Sequence, residues 1–438
     1  MASALISPGV SSGFDYARHR DHVNRGVIVR RQRSRVTPSN GGTVWSYSNG
    51  NQTIDYLFPT AGFADLASTW VGLELSFAAG TTTGISLSQP GLSSLIDEVE
   101  LLTTGGSSIY VTRDAPTILG MLMRGHTPDY LQGKANSAGM GSVAQRQADA
   151  AGTSNIRLGF DLAMTPLFNG DLHPPLFAQG LLLRIRLRRD ASALVSVTGT
   201  DATYTVRNAR LNVDIMFMNQ QLTDSVGAVL EQGGAIRAVV DVFEILQKSI
   251  STSDANVNVE VSKYVSDLFT LFCAFVPTSS INVMTADEFD AAEFPNLNTA
   301  QVVVGPDVFP NQAADLAGNG FEGLQLLRQC TQRLHSPVSA QYDVGKNYTL
   351  FNGGSGRQYV LAIPMFKDMN ASVGGGYRTD NPNEPMILQL RMSSAPTVAY
   401  TMYVMAHYRG FLVWRAGSLQ LITSGLREEI GRDDVASS

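Results

Sequence analysis

Short stretches in which apolar and polar side chains alternate are the feature that most constrains the fold of this chain. In residues 181–188, leucine and isoleucine alternate with Leu182 and three arginines. A period of two places one set of side chains on each face of a sheet, so such stretches are half-buried strands. Residues 268–276 and 398–406 are instead apolar at nearly every position, which is typical of strands covered on both faces. The pattern predicts an all-β protein.

Glycine and proline separate nearly all of these stretches. The chain holds 41 glycines and 18 prolines, and they cluster in turns such as residues 40–42, 105–106 and 374–376. Many short strands joined by turns of this kind are typical of β-sandwiches and jelly rolls.

Three helical segments interrupt the strands. Asp114 and Pro116 form an N-terminal capping signal for a helix over residues 117–124, residues 222–248 carry apolar side chains at helical spacing, and a third helix ends near His335. The middle segment separates two halves that share one order of strands, helical insertion and glycine-rich loop, so we predict an architectural repeat. The predicted segments are a basic N-terminal arm (1–39), a first β domain (40–222), a helical linker (223–254), a second β domain (255–425) and a C-terminal tail (426–438).

Positive charge is concentrated at the start of the chain. Residues 1–35 hold seven arginines and two aspartates, a net charge of +5, whereas the whole chain carries −6. A basic leading segment can bind nucleic acid, an anionic membrane or an acidic surface of a neighbouring subunit, and a solvated tail is the alternative. The candidate contact residues of this arm are Arg30, Arg31, Arg33 and Arg35.

A second group of arginines lies in the alternating stretch of residues 181–188. Arg184, Arg186 and Arg188 fall on one side of the predicted strand, where they repel each other unless carboxylates or solvent meet them. Arginine suits interfaces because its planar guanidinium pairs with a carboxylate through two hydrogen bonds. We take these three residues as a candidate subunit interface, with a solvent-facing stripe as the alternative.

No motif for catalysis or metal binding stands in a suitable context. The sequence lacks H-E-x-x-H, paired C-x-x-C and the phosphate loop, its six histidines are scattered, and the acidic run over residues 287–293 lacks the spacing of a calcium loop. We therefore expect no catalytic residue, no metal and no cofactor, and a protein that is not an enzyme. The main alternative is a carbohydrate-binding or carbohydrate-cleaving β-sandwich protein, which would need an aromatic groove or paired carboxylates. A nucleic-acid-binding module is a third possibility that rests on the arm alone.

The order of these features resembles the double jelly-roll major capsid protein of tailless icosahedral DNA viruses, particularly of polinton-like viruses and virophages. The resemblance covers roughly residues 30–425 as an ordered series of weak motifs. The stretches that carry it are residues 30–42, 53–59, 70–77, 96–101, 117–119, 166–185, 204–214 and 303–310.

The resemblance implies two tandem eight-stranded jelly rolls with short helical insertions. It further implies a homotrimer of pseudo-hexagonal outline that tiles an icosahedral capsid, with neighbouring capsomers and minor capsid and penton proteins as partners. The basic arm would face inward, toward an internal membrane, the genome or other capsid proteins. Since no secretory pattern opens the sequence and no apolar run reaches the ~18–20 residues of a membrane span, we expect a virion protein made in the host cell interior and not secreted.

Overall fold

The computed structural model describes residues 28–88, 91–114, 117–118, 146–148, 150, 156–161, 180–288, 295–317, 321–332, 359–367, 375–415 and 418–424. Of the helix predicted over residues 117–124, only residues 117 and 118 are described, and both are helical. The predicted helix end near His335 lies outside the described residues. Among the described residues, no helix is long and apolar enough to cross a membrane.

The first half of the chain builds two antiparallel sheets of four main strands, which are numbered here in chain order. Neighbours in the first sheet follow the order β1 (Ile28–Val36), β11 (Thr203–Met218), β4 (Phe63–Ala78) and β8 (Ile156–Asp161). Neighbours in the second follow the order β3 (Thr53–Leu57), β9 (Leu181–Leu187), β6 (Ile96–Thr103) and β7 (Ser108–Arg113). The connections hold the short strands β2 (Val44–Trp45), β5 (Ser86–Leu87) and β10 (Leu194–Val195), a 3-10 turn (Gly91–Leu95) and the one-turn helix α1 (Asp190–Ala193).

The second half repeats this pair of sheets. One sheet has the order β12 (Ile236–Ile250), β19 (Tyr400–Arg415), β14 (Leu268–Pro277) and β17 (Leu361–Pro364), and the other has β13 (Asn256–Glu260), β18 (Met386–Met392), β15 (Leu297–Val304) and β16 (Asp307–Asp315). The strand β20 (Ser418–Ile422) pairs with β19. Helix α2 (Gln220–Glu231) connects the halves, and helix α3 (Phe321–Gln332) and the 3-10 turn Thr278–Ser280 lie within the second half.

The two halves have the same connectivity. When the main strands of either half are taken in chain order as first to eighth, one sheet reads first, eighth, third, sixth, and the other reads second, seventh, fourth, fifth. This eight-stranded, two-sheet arrangement is the jelly roll. The fold predicted from the sequence, two tandem jelly rolls with short helical insertions, is confirmed.

Burial follows the sequence pattern that predicted the strands. In β9 the leucines and Ile185 at alternate positions are buried, while the positions between them are intermediate or exposed, and the corresponding strand β18 shows the same series. All ten residues of β14 are buried, and β19 is buried along nearly its whole length. The prediction that both faces are covered is confirmed for residues 268–276 and for residues 400–406, whereas Val398 is 40% exposed and precedes the buried strand.

The helical prediction for residues 222–248 is correct only in its first part. Helix α2 ends at Glu231, where Gly233 takes a left-handed φ of +80° that glycine adopts without strain. Residues 236–250 form β12, which pairs with β19 along its whole length. The helix predicted beyond Glu231 is therefore wrong. Apolar side chains three and four positions apart fit a helix, but the β-branched residues of this segment favour a strand, and pairing with β19 decides the outcome.

The prediction of a basic arm separate from the fold is also partly wrong. Residues 28–36 form β1, the outermost strand of the first sheet, with Arg33 in register with Asp214 and Val36 with Leu211 of β11. A charged sequence is common on an edge strand because charge opposes unwanted strand pairing. Residues 1–27 lie outside the described residues.

Candidate interaction surfaces

Two of the four candidate arm arginines hold a buried carboxylate. Asp214 is only 3% exposed and accepts hydrogen bonds from Arg31 (Nε to Oδ2, 3.0 Å) and Arg33 (Nε to Oδ1, 2.8 Å). Asp65 is buried directly opposite Asp214 in register, and its Oδ2 lies 3.8 Å from Nη2 of Arg31. The hydrogen bond from Arg33, followed by the bond and charge of Arg31, holds the pKa of Asp214 below its usual value although burial opposes the shift. Arg31 and Arg33 therefore stabilise the first sheet.

The other two arm arginines are open to a partner. The guanidinium of Arg30 lies 4.7 Å from the ring centroid of Phe217 and donates a hydrogen bond to Gln32. Arg35 is exposed. Within the part of the chain that the structure describes, neither Arg30 nor Arg35 forms an ion pair with a carboxylate. The basic strand thus presents two uncompensated charges.

Carboxylates of both strands next to β9 lie close to the predicted arginine stripe. Arg184 pairs with Asp55 of β3 through two hydrogen bonds (Nε to Oδ1, 3.0 Å; Nη2 to Oδ2, 3.2 Å), and its Nη1 lies 3.6 Å from Glu100 of β6. The hydrogen bonding of Arg184 to the Asp55 carboxylate is the largest cause that raises the pKa of Arg184. Sequence reasoning missed these acidic partners. Their signal was the alternation of β3 and β6, which places Asp55 and Glu100 on outward positions.

Arg186, the second residue of the stripe, is exposed. Its neighbours in register are Thr53 on β3 and Glu98 on β6, and Glu98 is paired with Arg113 (Nε to Oε2, 3.3 Å). Arg186 itself forms no ion pair among the described residues.

Arg188, the third residue of the stripe, reaches the second jelly roll. Its Nη2 lies 3.3 Å from Oε2 of Glu288, and the hydroxyl of Tyr403 donates to Oε1 of the same carboxylate at 2.7 Å. Glu288, part of the acidic run over residues 287–293, is only 4% exposed. Burial, together with the charge of Glu288, raises the pKa of the Tyr403 hydroxyl. One arginine of the stripe therefore joins the two rolls.

Further polar contacts join the rolls at the same end of the molecule. The hydroxyl of Ser192 bonds to Oδ1 of Asn282 at 2.5 Å, and the backbone N–H of Ser196 donates to the carbonyl of Met284 at 2.8 Å. Arg146 lies 3.5 Å from Asp287. These contacts form a polar junction between loops of the first roll and the loop that follows β14.

A buried polar group in the second roll has the residue types of a catalytic site but is sealed. Nε2 of His407 lies 3.2 Å from Oδ1 of Asp241, and Nε of Arg409 donates to the same oxygen at 3.1 Å. Burial opposes ionisation of Asp241, but the bonds and charges of His407 and Arg409 hold its pKa well below its usual value. His407 is 0% exposed and stacks on Phe243 with centroids 4.5 Å apart. Because no substrate can reach it, this group serves the packing of the sheet.

The remaining residue types that carry chemistry are buried or dispersed. Among the described residues, no three side chains of histidine, cysteine, aspartate or glutamate converge as a metal site. Cys273 and Cys330 are buried, and burial raises the pKa of the Cys273 thiol to about 12. Trp45 and Trp414 lie in the core, so they cannot line a sugar-binding groove. The carbohydrate alternative gains no support from these positions.

Comparison with known proteins defines the class of fold. No protein-family model and no curated protein matches the sequence. Among solved structures, a chain of the PBCV-1 virus capsid aligns with a TM-score of 0.59 and 12% identity over 91% of this chain and 97% of that one. The Faustovirus major capsid protein aligns at 0.56 and 10% identity over 92% of both chains, and a chain of the Sputnik virophage at 0.55 and 12% identity over 94% of this chain and 93% of that one.

These alignments span both jelly rolls of each protein and not a single roll. The structural resemblance to double jelly-roll major capsid proteins that the sequence indicated is thereby confirmed at the level of the fold. At 10–12% identity the likeness is one of backbone architecture.

Proposed function

We propose that this chain is a structural capsid protein that assembles as pseudo-hexagonal homotrimers into the icosahedral shell of a DNA virus of the polinton-like or virophage type. The observation that carries the proposal is the pair of jelly rolls with identical connectivity in one chain. Three copies would supply six rolls, which is the number that a hexagonal tile needs. The similar structures include a chain of a virus capsid and a major capsid protein, which supports the same role.

The composition supports an assembled state. Only 16% of the residues are charged, well below the roughly 25% of ordinary soluble domains. Permanent interfaces are more hydrophobic than the rest of a protein surface, and their cores are depleted in charge, so a chain of this composition suits extensive burial between subunits.

The proposed contacts are divided between two surfaces. Arg30 and Arg35 on β1 would contact a neighbouring capsomer, a minor capsid or penton protein, the genome or an internal membrane. Arg186 on the outer face of β9 would contribute to the subunit interface, whereas Arg184 and Arg188 are already paired within the chain. The role is structural and not catalytic, and its place is the virion of a virus whose proteins are made inside the host cell.

Native mass by light scattering after size exclusion, with electron micrographs of the same fraction, tests the proposal. We expect a mass of three chains of 47.1 kDa each and particles of hexagonal outline. A stable monomer at micromolar concentration, with no larger particles on concentration or salt change, would contradict the capsid role. Binding on a glycan array or hydrolysis of polysaccharides would favour the carbohydrate alternative instead.

A further inference from the structure

A cavity of about 330 Å³ lies at the polar junction between the rolls. This volume falls within the range of small-molecule sites, about 300–1,000 Å³. Its lining includes Arg188 and Tyr403, which are joined through Glu288, so the two rolls together form its floor. A site made by both rolls exists only in the folded double-roll chain.

The charged groups of the cavity differ in exposure, with arginines exposed at its rim and aspartates partly buried in its wall. Arg186 and Arg189 are exposed at the rim, and neither forms a hydrogen bond or ion pair through its side chain in the described part of the chain. Asp97 and Asp114 line the wall and are partly buried. The carboxyl of Asp114 accepts a long hydrogen bond from Gln247, at 3.4 Å, and burial raises its pKa.

This arrangement suits a ligand with an anionic group at one end and hydrogen-bond donors at the other. Two guanidinium groups at the rim of a cavity can bind a phosphate through charge-assisted, paired hydrogen bonds. Carboxylates accept hydrogen bonds from an exocyclic amino group, such as N4 of cytosine. Tyr47, whose side chain is 36% exposed beside the cavity, offers an aromatic ring on which a base can stack.

We propose that this cavity binds a nucleotide whose base carries an amino group, with the phosphate on Arg186 and Arg189 and the base directed toward Asp97 and Asp114. The nucleotide is either free or the end of a nucleic-acid strand, since both present the same phosphate and base. The proposal concerns a binding site within one chain. Because it gives Arg186 a ligand, it is an alternative to the role of Arg186 at a subunit interface.

Calorimetric titration of the full-length protein tests this site. The probes are dCMP, dAMP, dTMP, inorganic phosphate and an oligodeoxycytidine. We expect dCMP and dAMP to bind about tenfold more tightly than dTMP, which has no amino group on its base, and than phosphate alone. Binding of the oligonucleotide without binding of dCMP would identify the strand end as the source of the ligand.

Substitutions assign the two ends of the ligand. Arg186→Gln and Arg189→Gln should each weaken dCMP binding about tenfold, the effect of losing one charge-assisted contact. Asp97→Ala should abolish the preference for dCMP over dTMP but keep the phosphate contact. Arg113→Gln is the matched control, because Arg113 is exposed on the same sheet, is paired with Glu98 and does not line the cavity.

Three results would overturn the proposal. The first is absence of binding by every probe at millimolar concentration, and the second is equal affinity for phosphate and all nucleotides. The third is an equal loss of binding in Arg113→Gln and in the two rim variants, which would indicate nonspecific attraction to basic side chains. Unchanged melting temperatures of the variants establish that each comparison is made on folded protein.

Discussion

Removing the carboxylate of Glu288 should weaken the coupling between the two jelly rolls, so that they unfold in separate transitions. Glu288 is 4% exposed and contacts Arg188, whose side chain is 11% exposed, at 3.3 Å, so solvent screens the pair only weakly. With charge centres about 4 Å apart and an effective dielectric constant of about 20, the Coulomb attraction is about 4 kcal/mol. Removing one partner of such a pair typically costs about 3–5 kcal/mol, because the other charge stays in a poorly solvated place. Glu288→Ala also removes the acceptor of the Tyr403 hydroxyl.

Urea denaturation followed by tryptophan fluorescence measures this effect roll by roll. Trp45 is buried in the first roll and Trp414 in the second, so variants in which one of these two is the sole tryptophan, with Trp70 also replaced, report on one roll each. In the parent protein we expect the two probes to give one transition. In Glu288→Ala we expect a lower midpoint and two separated transitions, since the remaining contacts of the junction couple the rolls less strongly.

Two further variants make this prediction decisive. Glu98→Ala removes an ion pair whose arginine, Arg113, is 80% exposed, and it should cost less than about 1 kcal/mol. A double change of Arg188 to Met and Glu288 to Leu should recover most of the loss, because an apolar pair leaves no buried charge. If Glu288→Ala is as stable as Glu98→Ala, the junction does not hold the rolls together and the reasoning is refuted.

Three other predictions follow from the remaining surfaces. Asp214→Asn should destabilise the protein by about 1–3 kcal/mol at neutral pH. Since the folded pKa of Asp214 is lowered, the stabilisation by its carboxylate is present above the unfolded pKa and is lost as pH falls through the folded pKa. The urea midpoints of variant and parent should therefore converge in acid, and a constant difference between them would contradict the assignment. Arg30→Glu combined with Arg35→Glu should leave the melting temperature unchanged but reduce assembly beyond the trimer in light scattering, whereas unchanged assembly would count against a partner at β1. Arg184→Ala should cost about 1 kcal/mol, because its side chain is 37% exposed and solvent screens the pair with Asp55, and a loss of trimer at constant stability would instead indicate an interface role.

Strand patterns in this chain were readable because burial on one face imposes a period of two. In β9 every second residue is buried, so the sequence alone identifies the strand and its inward face. The segment 236–250 was misread because apolar residues three and four positions apart satisfy a helix as well as a strand. Its fifteen-residue pairing with β19, whose partner residues lie 150 or more positions away in sequence, decides the outcome, and a local pattern cannot indicate that pairing.

Candidate site residues were predictable as residue types but not as contacts. The sequence shows the arginines of β1 and β9 as clusters of one charge. Repulsion between like charges on a strand predicts carboxylates or solvent near them. Strand order decides which carboxylates pair with these arginines. Asp214 lies 183 positions from Arg31, and Glu288 lies 100 positions from Arg188. The cavity between the rolls was likewise invisible, because its lining comes from separate loops of both halves.

The outer faces of corresponding sheets show that the two rolls are alike in fold but not in surface chemistry. In the first roll the middle row across three strands is Asp55, Arg184 and Glu100. The same positions of the second roll hold Asn258, Gln389 and Gln301, with a hydrogen bond of 2.6 Å between the two glutamines. The first row is thus built from charged side chains and the second from amides.

This difference constrains any assembly of the chain. Six identical rolls could be arranged with true sixfold symmetry, but rolls that alternate between a charged and an amide-bearing face repeat only every second position. A ring of three such chains, as proposed above, would therefore have threefold symmetry with a hexagonal outline, because each chain contributes one roll of each kind. A measured ring of six chains, or a dimer that joins like faces, would contradict that arrangement.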